Sequence, residues 1–307
     1  MAKFHVSKSV SISATPERVF TAINDYHQWP AWSPWLILEK GVTINVKENG
    51  KEFSWVGNRT GSGEMKVLSE NAHQRVDMQL TFLKPWKSTS KVWFELKPEG
   101  NQTTLTWGME GSLPFFLFWM KAMMSAYIGM DYERGLTMLK DYVETGEVPS
   151  KLAFDGITDF AGCNYVGVRA ACDMDALQTQ MSTDFKRLES WGNDYKELII
   201  APPFSIYHKW DMVKRKVEYT SACPVSEVPA STPSGFISGM IPATKVNTIT
   251  HTGAYRHLGN AWSAQYNMHR AKEFKVNKKV HPFEIYLTMP GTVPEKELVT
   301  VINFPTS

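Results

Sequence analysis

Pro203-Phe204-Ser205-Ile206-Tyr207 and Pro282-Phe283-Glu284-Ile285-Tyr286 are one pentapeptide written twice, 79 positions apart, with Ser205 in the place of Glu284. A repeat at fixed spacing marks a duplicated structural unit. Applied without gaps, the same offset carries residues 165–171 onto 244–250 and residues 175–191 onto 254–270. It also carries Glu218 onto Glu297. Each copy reads as strand, helix, strand, strand. In the first helix Leu177, Met181, Phe185 and Leu188 share one side. In the second, Tyr255, Leu258, Trp262 and Tyr266 fall within a narrow arc. Two such units are expected to join their sheets about a pseudo-two-fold axis, with a cleft between them.

The one unmatched position carries the chemistry. In a strand alternate side chains face opposite sides. Glu284 and Tyr286 therefore share one side, as do Ser205 and Tyr207, while the phenylalanines and isoleucines share the other. With the phenylalanine–isoleucine side against the helices, the glutamate–tyrosine side lines the groove. A carboxylate beside two tyrosines suits a cation with a ring system, and ring faces hold a cation by about 0.5–2 kcal/mol. A buried carboxylate has its pKa raised by desolvation, which also fits it for general acid–base work near neutral pH. A solvated glutamate on an open antiparallel face would carry the same pattern. Ser205, Tyr207, Glu284, Tyr286, Tyr255 and Trp262 are the candidate ligand-binding residues. For Tyr255 and Trp262, an aromatic stripe at helical spacing packs a core as readily as it lines a cleft.

The first half is patterned differently. A half-buried strand is expected over 4–12, and Thr15-Pro16-Glu17 starts a helix over 16–23 with proline at its first position. A rigid aromatic loop, Trp29-Pro30-Ala31-Trp32-Ser33-Pro34-Trp35, follows. Strand-like runs at 37–46, 52–57, 62–69, 75–83, 89–97 and 102–110 are separated by turn signals, as in an antiparallel meander. From Pro114 to Thr145 the period becomes helical, with Met120, Met123, Tyr127 and Met130 on a stripe that the sheet is expected to bury. Residues 1–147 are expected to form one domain and 157–307 another. Residues 148–156, with Gly146-Glu147-Val148-Pro149-Ser150 at their head, are expected to link them.

The segments Ala14-Thr15-Pro16-Glu17-Arg18-Val19-Phe20, the tryptophan–proline loop, Gly61-Ser62-Gly63-Glu64-Met65, and Tyr132-Glu133-Arg134-Gly135-Leu136 with Leu139, Lys140 and Glu144 resemble the START-like helix-grip superfamily, the polyketide cyclase/dehydrase-like (SRPBCC) group. The resemblance spans about 1–147. It implies a curved sheet gripping the long helix over an apolar cavity, with Trp55, Phe82, Trp93 and Trp107 as candidate wall residues. Each of these also reads as an ordinary core aromatic.

Residues 157–305 resemble a second family, the gyrase-inhibitor-like fold that also serves as the effector-binding domain of AraC-type and MerR-type transcription activators. Pro202 to Tyr207, Ile241-Pro242-Ala243-Thr244-Lys245, His251-Thr252-Gly253-Ala254-Tyr255 and Pro282 to Leu287 carry it. This resemblance implies a cleft for lipophilic, often cationic, small molecules, with a buried glutamate that Glu284 matches. It also implies that some relatives are hydrolases of electrophilic compounds, using the glutamate with a tyrosine. No helix-turn-helix segment precedes this half. The expected fold class is α+β throughout.

Composition bounds the rest. The chain has 307 residues, 43% of them hydrophobic and 21% charged, with a net charge of +2. Residues 1–150 carry 16 basic and 16 acidic side chains, so no dense basic face is expected, and with it no direct nucleic-acid binding. Three cysteines have no metal-like spacing, and the histidines at 251, 257 and 269 do not share a helical face, so no metal and no cofactor are expected. The start lacks a signal-peptide core, and the greasiest stretch, 113–124, is too short and interrupted to span a bilayer. A cytoplasmic protein with no membrane contact is expected. Three functions fit: a module binding lipophilic molecules, including cations, in either half; a hydrolase with Glu284 activating water and Tyr286 or Tyr207 as proton donor; and a transcription-related regulator that passes ligand occupancy to a protein partner. Ligand, pathway and oligomeric state leave no mark in the sequence.

Overall fold

The computed structural model describes residues 2–84 and 87–307, and the chain divides into two compact units between Pro149 and Ser150. The fold is α+β, with two antiparallel sheets. The N-terminal unit runs β1 (Ala2–Ile12), α1 (Pro16–Asn24), β2 (Thr43–Val46), β3 (Glu52–Val56), β4 (Ser62–Asn71), β5 (Arg75–Lys84), β6 (Ser88–Glu99), β7 (Gln102–Leu113) and α2 (Lys121–Thr145). Its sheet has the order β1-β7-β6-β5-β4-β3-β2, a meander closed by the first strand. Pro16 opens α1 at its first turn, as the sequence requires. The tryptophan–proline loop forms a short 3₁₀ turn pinned to the end of α1. Trp29 Nε1 donates to the Ile23 carbonyl at 3.1 Å and Trp32 Nε1 to Ala22 at 3.2 Å.

The face that α2 buries is not the expected methionine stripe. Tyr132, Leu136, Leu139 and Val143 pack into the core, whereas Met123 and Tyr127 are exposed. Met124 and Ile128, about 100° further round the helix, take the inward positions in its first turns. Residues 115–120, expected as helix, form a separate 3₁₀ segment.

The C-terminal unit runs β8 (Ser150–Phe160), β9 (Cys163–Asp173), α3 (Leu177–Asp194), β10 (Phe204–Asp211), β11 (Lys216–Val225), β12 (Ile237–Ile241), β13 (Thr244–Gly253), α4 (Gly259–Arg270), β14 (Phe283–Tyr286) and β15 (Val299–Thr306). Residues 150–156, read as linker, belong to β8 instead. Their alternation, with Leu152 and Phe154 less exposed than their neighbours, is that of a strand with one covered face. The sheet order is β12-β9-β11-β10-β14-β15-β13-β8. The duplication is visible in that order: β9-β11-β10 of the first repeat mirrors β13-β15-β14 of the second. Both pentapeptides lie at the centre, where Ser205 is the direct cross-strand partner of Glu284.

The strand preceding each repeat pads the other repeat's edge. Thus β8 pairs with β13 and β12 with β9. Phe160 pairs with Thr244 and Cys163 with Ile241, and only Ala161–Gly162 and Pro242–Ala243 connect these strands. The two ends of the sheet must therefore meet at this corner, which rolls the sheet upon itself. Gly162 sits there at φ +81°, and a Cβ on it would lie 2.7 Å from the Ala243 nitrogen, so a side chain is excluded by backbone as well as by conformation. Among the described residues, no helix is long and apolar enough to cross a membrane.

Candidate functional site

The phenylalanine–isoleucine side does not face the helices. Phe204, Ile206 and Phe283 pack with Tyr165, Ile241 and Val246, inside the rolled sheet. The rolled corner supplies that apolar partner, and it could not be read from strand alternation alone. The glutamate–tyrosine side consequently faces α3 and α4, and the candidate site lies in the layer between sheet and helices.

There the structure brings three of the candidates onto the carboxylate of a fourth, Glu284. Glu284 is 2% exposed. Its Oε2 accepts a hydrogen bond from Tyr207 at 3.0 Å and one from Tyr286 at 2.7 Å. Its Oε1 accepts from Trp262 Nε1, which α4 supplies. Ser205, the register partner, is wholly buried. The sixth candidate, Tyr255, stands one ring further out. Its centroid is 5.9 Å from that of Tyr286, and its hydroxyl donates to the Thr288 carbonyl at 3.0 Å.

Among the described residues no basic side chain pairs with Glu284. Burial pushes its pKa up, and the hydrogen bonds from Trp262, Tyr286 and Tyr207 pull the other way without prevailing. Burial, with the Glu284 charge next, pushes Tyr207 and Tyr286 far above the ordinary phenol range, so both remain donors. Burial likewise pushes Tyr255 up to about 12. The site is thus a neutral cage of donors around a carboxylate whose ionised form has no counter-ion.

Rings enclose that cage. Trp262 meets Tyr207 edge-on at 4.9 Å and Phe304 at 5.2 Å. Trp210 stacks on Tyr207 at 5.2 Å and 18°. Phe185 of α3 meets Tyr286 edge-on at 5.4 Å, and Met181 Sδ lies 3.8 Å from the Tyr207 hydroxyl. Trp210 was not a sequence candidate, because residues 208–211 read as a turn after the pentapeptide, whereas β10 continues through them to Asp211. A register shift between Tyr207 and Lys209 turns it onto the face of Tyr207. A second carboxylate also went unread. Asp184 of α3 is wholly buried, accepting from Tyr219 at 2.7 Å and from Gln180 at 3.1 Å. Its position on the Met181–Leu188 side of the helix was the available signal.

The N-terminal unit holds a cavity of about 550 Å³, its open mouth included, lined by Trp35, Trp55, Phe82, Trp107 and Tyr132 among others. Trp107 stacks on Tyr132 with centroids 4.2 Å apart, and its Nε1 has no partner among the described residues. Of the four wall candidates, Trp55, Phe82 and Trp107 line this cavity. Trp93 does not. On β6 the buried side carries Val92, Phe94 and Leu96, so Trp93 points to the outer face, 5.4 Å from His5 and beneath Arg75. Among the described residues no group of three or more His, Cys, Asp or Glu could hold a metal.

Residues 3–144 match the family model described as polyketide cyclase / dehydrase and lipid transport. No curated protein matches the chain in sequence. Solved structures similar to it include the crystal structure of the EcmrR C-terminal domain, 19% identical, covering 52% of this chain and 98% of that one, with a TM-score of 0.40. A cryo-EM structure of an EcmrR–DNA complex is 17% identical over 61% of this chain and 65% of that one, with a TM-score of 0.42. Protein MLL2253 from Mesorhizobium loti is 18% identical, covering 45% of this chain and 94% of that one, with a TM-score of 0.36.

Proposed function

We propose that this protein binds lipophilic small molecules, taking an aromatic cation between α3, α4 and the sheet of its C-terminal unit, with Glu284 as the counter-charge. The observation that carries this reading is a carboxylate 2% exposed, held only by neutral donors and ringed by aromatic side chains. An ionised carboxylate in such a place is costly unless a positive charge joins it. The rings of Tyr207, Trp210 and Trp262 offer faces and edges to a flat ligand, and Asp184 adds a second buried carboxyl. The N-terminal cavity would take an uncharged lipophilic molecule, with Trp107 Nε1 free to donate to one acceptor on it.

Hydrolysis is the weaker use of these groups. Tyr207 and Tyr286 have their pKa values pushed well up, which makes them poor proton donors, and Glu284 already holds three hydrogen bonds. Holding charge needs neither proton transfer nor an activated water.

The pH dependence of binding tests the reading. Glu284 titrates above the ordinary carboxyl value in the folded, empty protein. Its neutral form therefore favours the empty fold, and the stability it contributes is lost as pH rises through its raised folded pKa. A cation needs the ionised form. Affinity for 10-methylacridinium is expected to climb with pH through that window, by up to about tenfold per pH unit, and then to level off. The uncharged 10-methylacridone should show no such slope. A flat profile for the cation would remove Glu284 from the site.

A further inference from the structure

We propose that one end of the N-terminal unit docks on an anionic membrane surface. The segment Pro114-Phe115-Phe116-Leu117-Phe118-Trp119-Met120 is the reason. Phe115, Phe116, Phe118 and Trp119 are 76%, 72%, 60% and 65% exposed. Leu117 and Met120 pack inward on the core, so the 3₁₀ turn has one seated face and one bare face. Met123 and Tyr127 extend the bare face along α2. Large exposed apolar patches mark interaction sites, and scattered single residues do not.

Charge selects the partner. Lys3 pairs with Ser112 on β7, and β6 runs antiparallel to β7 with Lys91 opposite Glu110. Phe82 pairs with Ser88, so Leu83, Lys84 and Lys87 emerge at the end of the sheet from which the aromatic segment leaves. Leu83 is itself exposed. From Phe82 to Lys91 there are three lysines and no carboxylate, and from Gly111 to Met130 one lysine and no carboxylate. Glu110, 3.9 Å from His5, is the nearest acid along β7. Phe and Trp set among lysines with acids excluded is the composition of a surface that sinks into a headgroup layer of anionic lipid. A protein partner of matching shape would call for no such exclusion.

The expectation of no membrane contact rested on the lack of a spanning segment, which has no bearing on a contact made at the surface. This inference stands apart from the reading of Glu284.

The test is co-sedimentation of the full chain with vesicles of phosphatidylcholine alone and of phosphatidylcholine mixed with phosphatidylglycerol. Binding to the mixed vesicles, weakened by salt and much weaker on phosphatidylcholine alone, is expected. Phe116→Asp with Trp119→Asp should abolish it, and each of Lys84→Glu, Lys87→Glu and Lys121→Glu should weaken it about fivefold or more. All five positions are at the surface, and an unchanged melting temperature confirms the fold of each variant. Failure of the wild type to bind mixed vesicles would overturn the proposal, as would undiminished binding by the double variant. A wild-type dimer in light scattering that the double variant dissociates, without vesicle binding, would assign the patch to contact between copies instead.

Discussion

Glu284→Ala is expected to destabilise the C-terminal unit by about 3–5 kcal/mol, and Glu284→Gln by about 1–2 kcal/mol, in urea unfolding. Alanine removes the acceptor of three buried donors, the hydroxyls of Tyr207 and Tyr286 and the indole nitrogen of Trp262. A buried donor left without an acceptor costs about 1–3 kcal/mol. Removing a carboxyl that resents burial offsets part of that loss. Glutamine keeps the volume and one acceptor oxygen, so either the two tyrosines or the tryptophan stay satisfied. The order of the two variants is the informative part. An alanine variant as stable as the glutamine variant would mean that the three donors reach water, and that the cage is open.

Trp107→Ala should cost the N-terminal unit about 4–5 kcal/mol, the upper end of what removing a buried tryptophan costs. Trp107 is 1% exposed and stands at the centre of an aromatic cluster with Trp35, Phe94 and Tyr132 at 5.5, 4.9 and 4.2 Å. It is also part of the cavity wall. Its loss merges a new void with an existing one, and the surrounding side chains already leave that space unfilled. Relaxation is thus poor. Indole added to the variant should recover part of the loss by occupying the space, since a ligand that binds only the folded form stabilises it. The melting temperature of the variant with and without indole reads both effects. A loss under about 1 kcal/mol would show that the wall collapses freely.

The repeat was the most legible feature of this chain. Because the two pentapeptides are related by an axis, they had to fall at equivalent places, and they do so as neighbouring central strands with Ser205 opposite Glu284. That Glu284 shares a strand face with Tyr286, as Ser205 does with Tyr207, followed from the repeat and from strand alternation, whereas Trp262 meets Glu284 because that face, and not the phenylalanine–isoleucine face, packs against α4. Other parts were hidden for physical reasons. Which side of the pentapeptide faces the helices depends on the rolled corner at Gly162, a tertiary closure that strand alternation does not encode. Trp210 enters the site through a bulge that shifts a strand by one residue. The linker reading failed because Gly146 and Pro149 mark the end of α2, while the alternation that begins at Ser150 already belongs to the next sheet. Trp93 shows the limit of residue type. Its parity on β6 excluded it from the cavity, and an aromatic side chain alone could not say so.

The central claim is that Glu284 is the counter-charge for a cation, and calorimetric titration of wild type and Glu284→Gln with 10-methylacridinium and 10-methylacridone tests it most directly. The wild type should prefer the cation, and the glutamine variant should lose that preference by about tenfold or more while keeping its affinity for the uncharged molecule. Equal binding of the cation by both proteins would contradict the account.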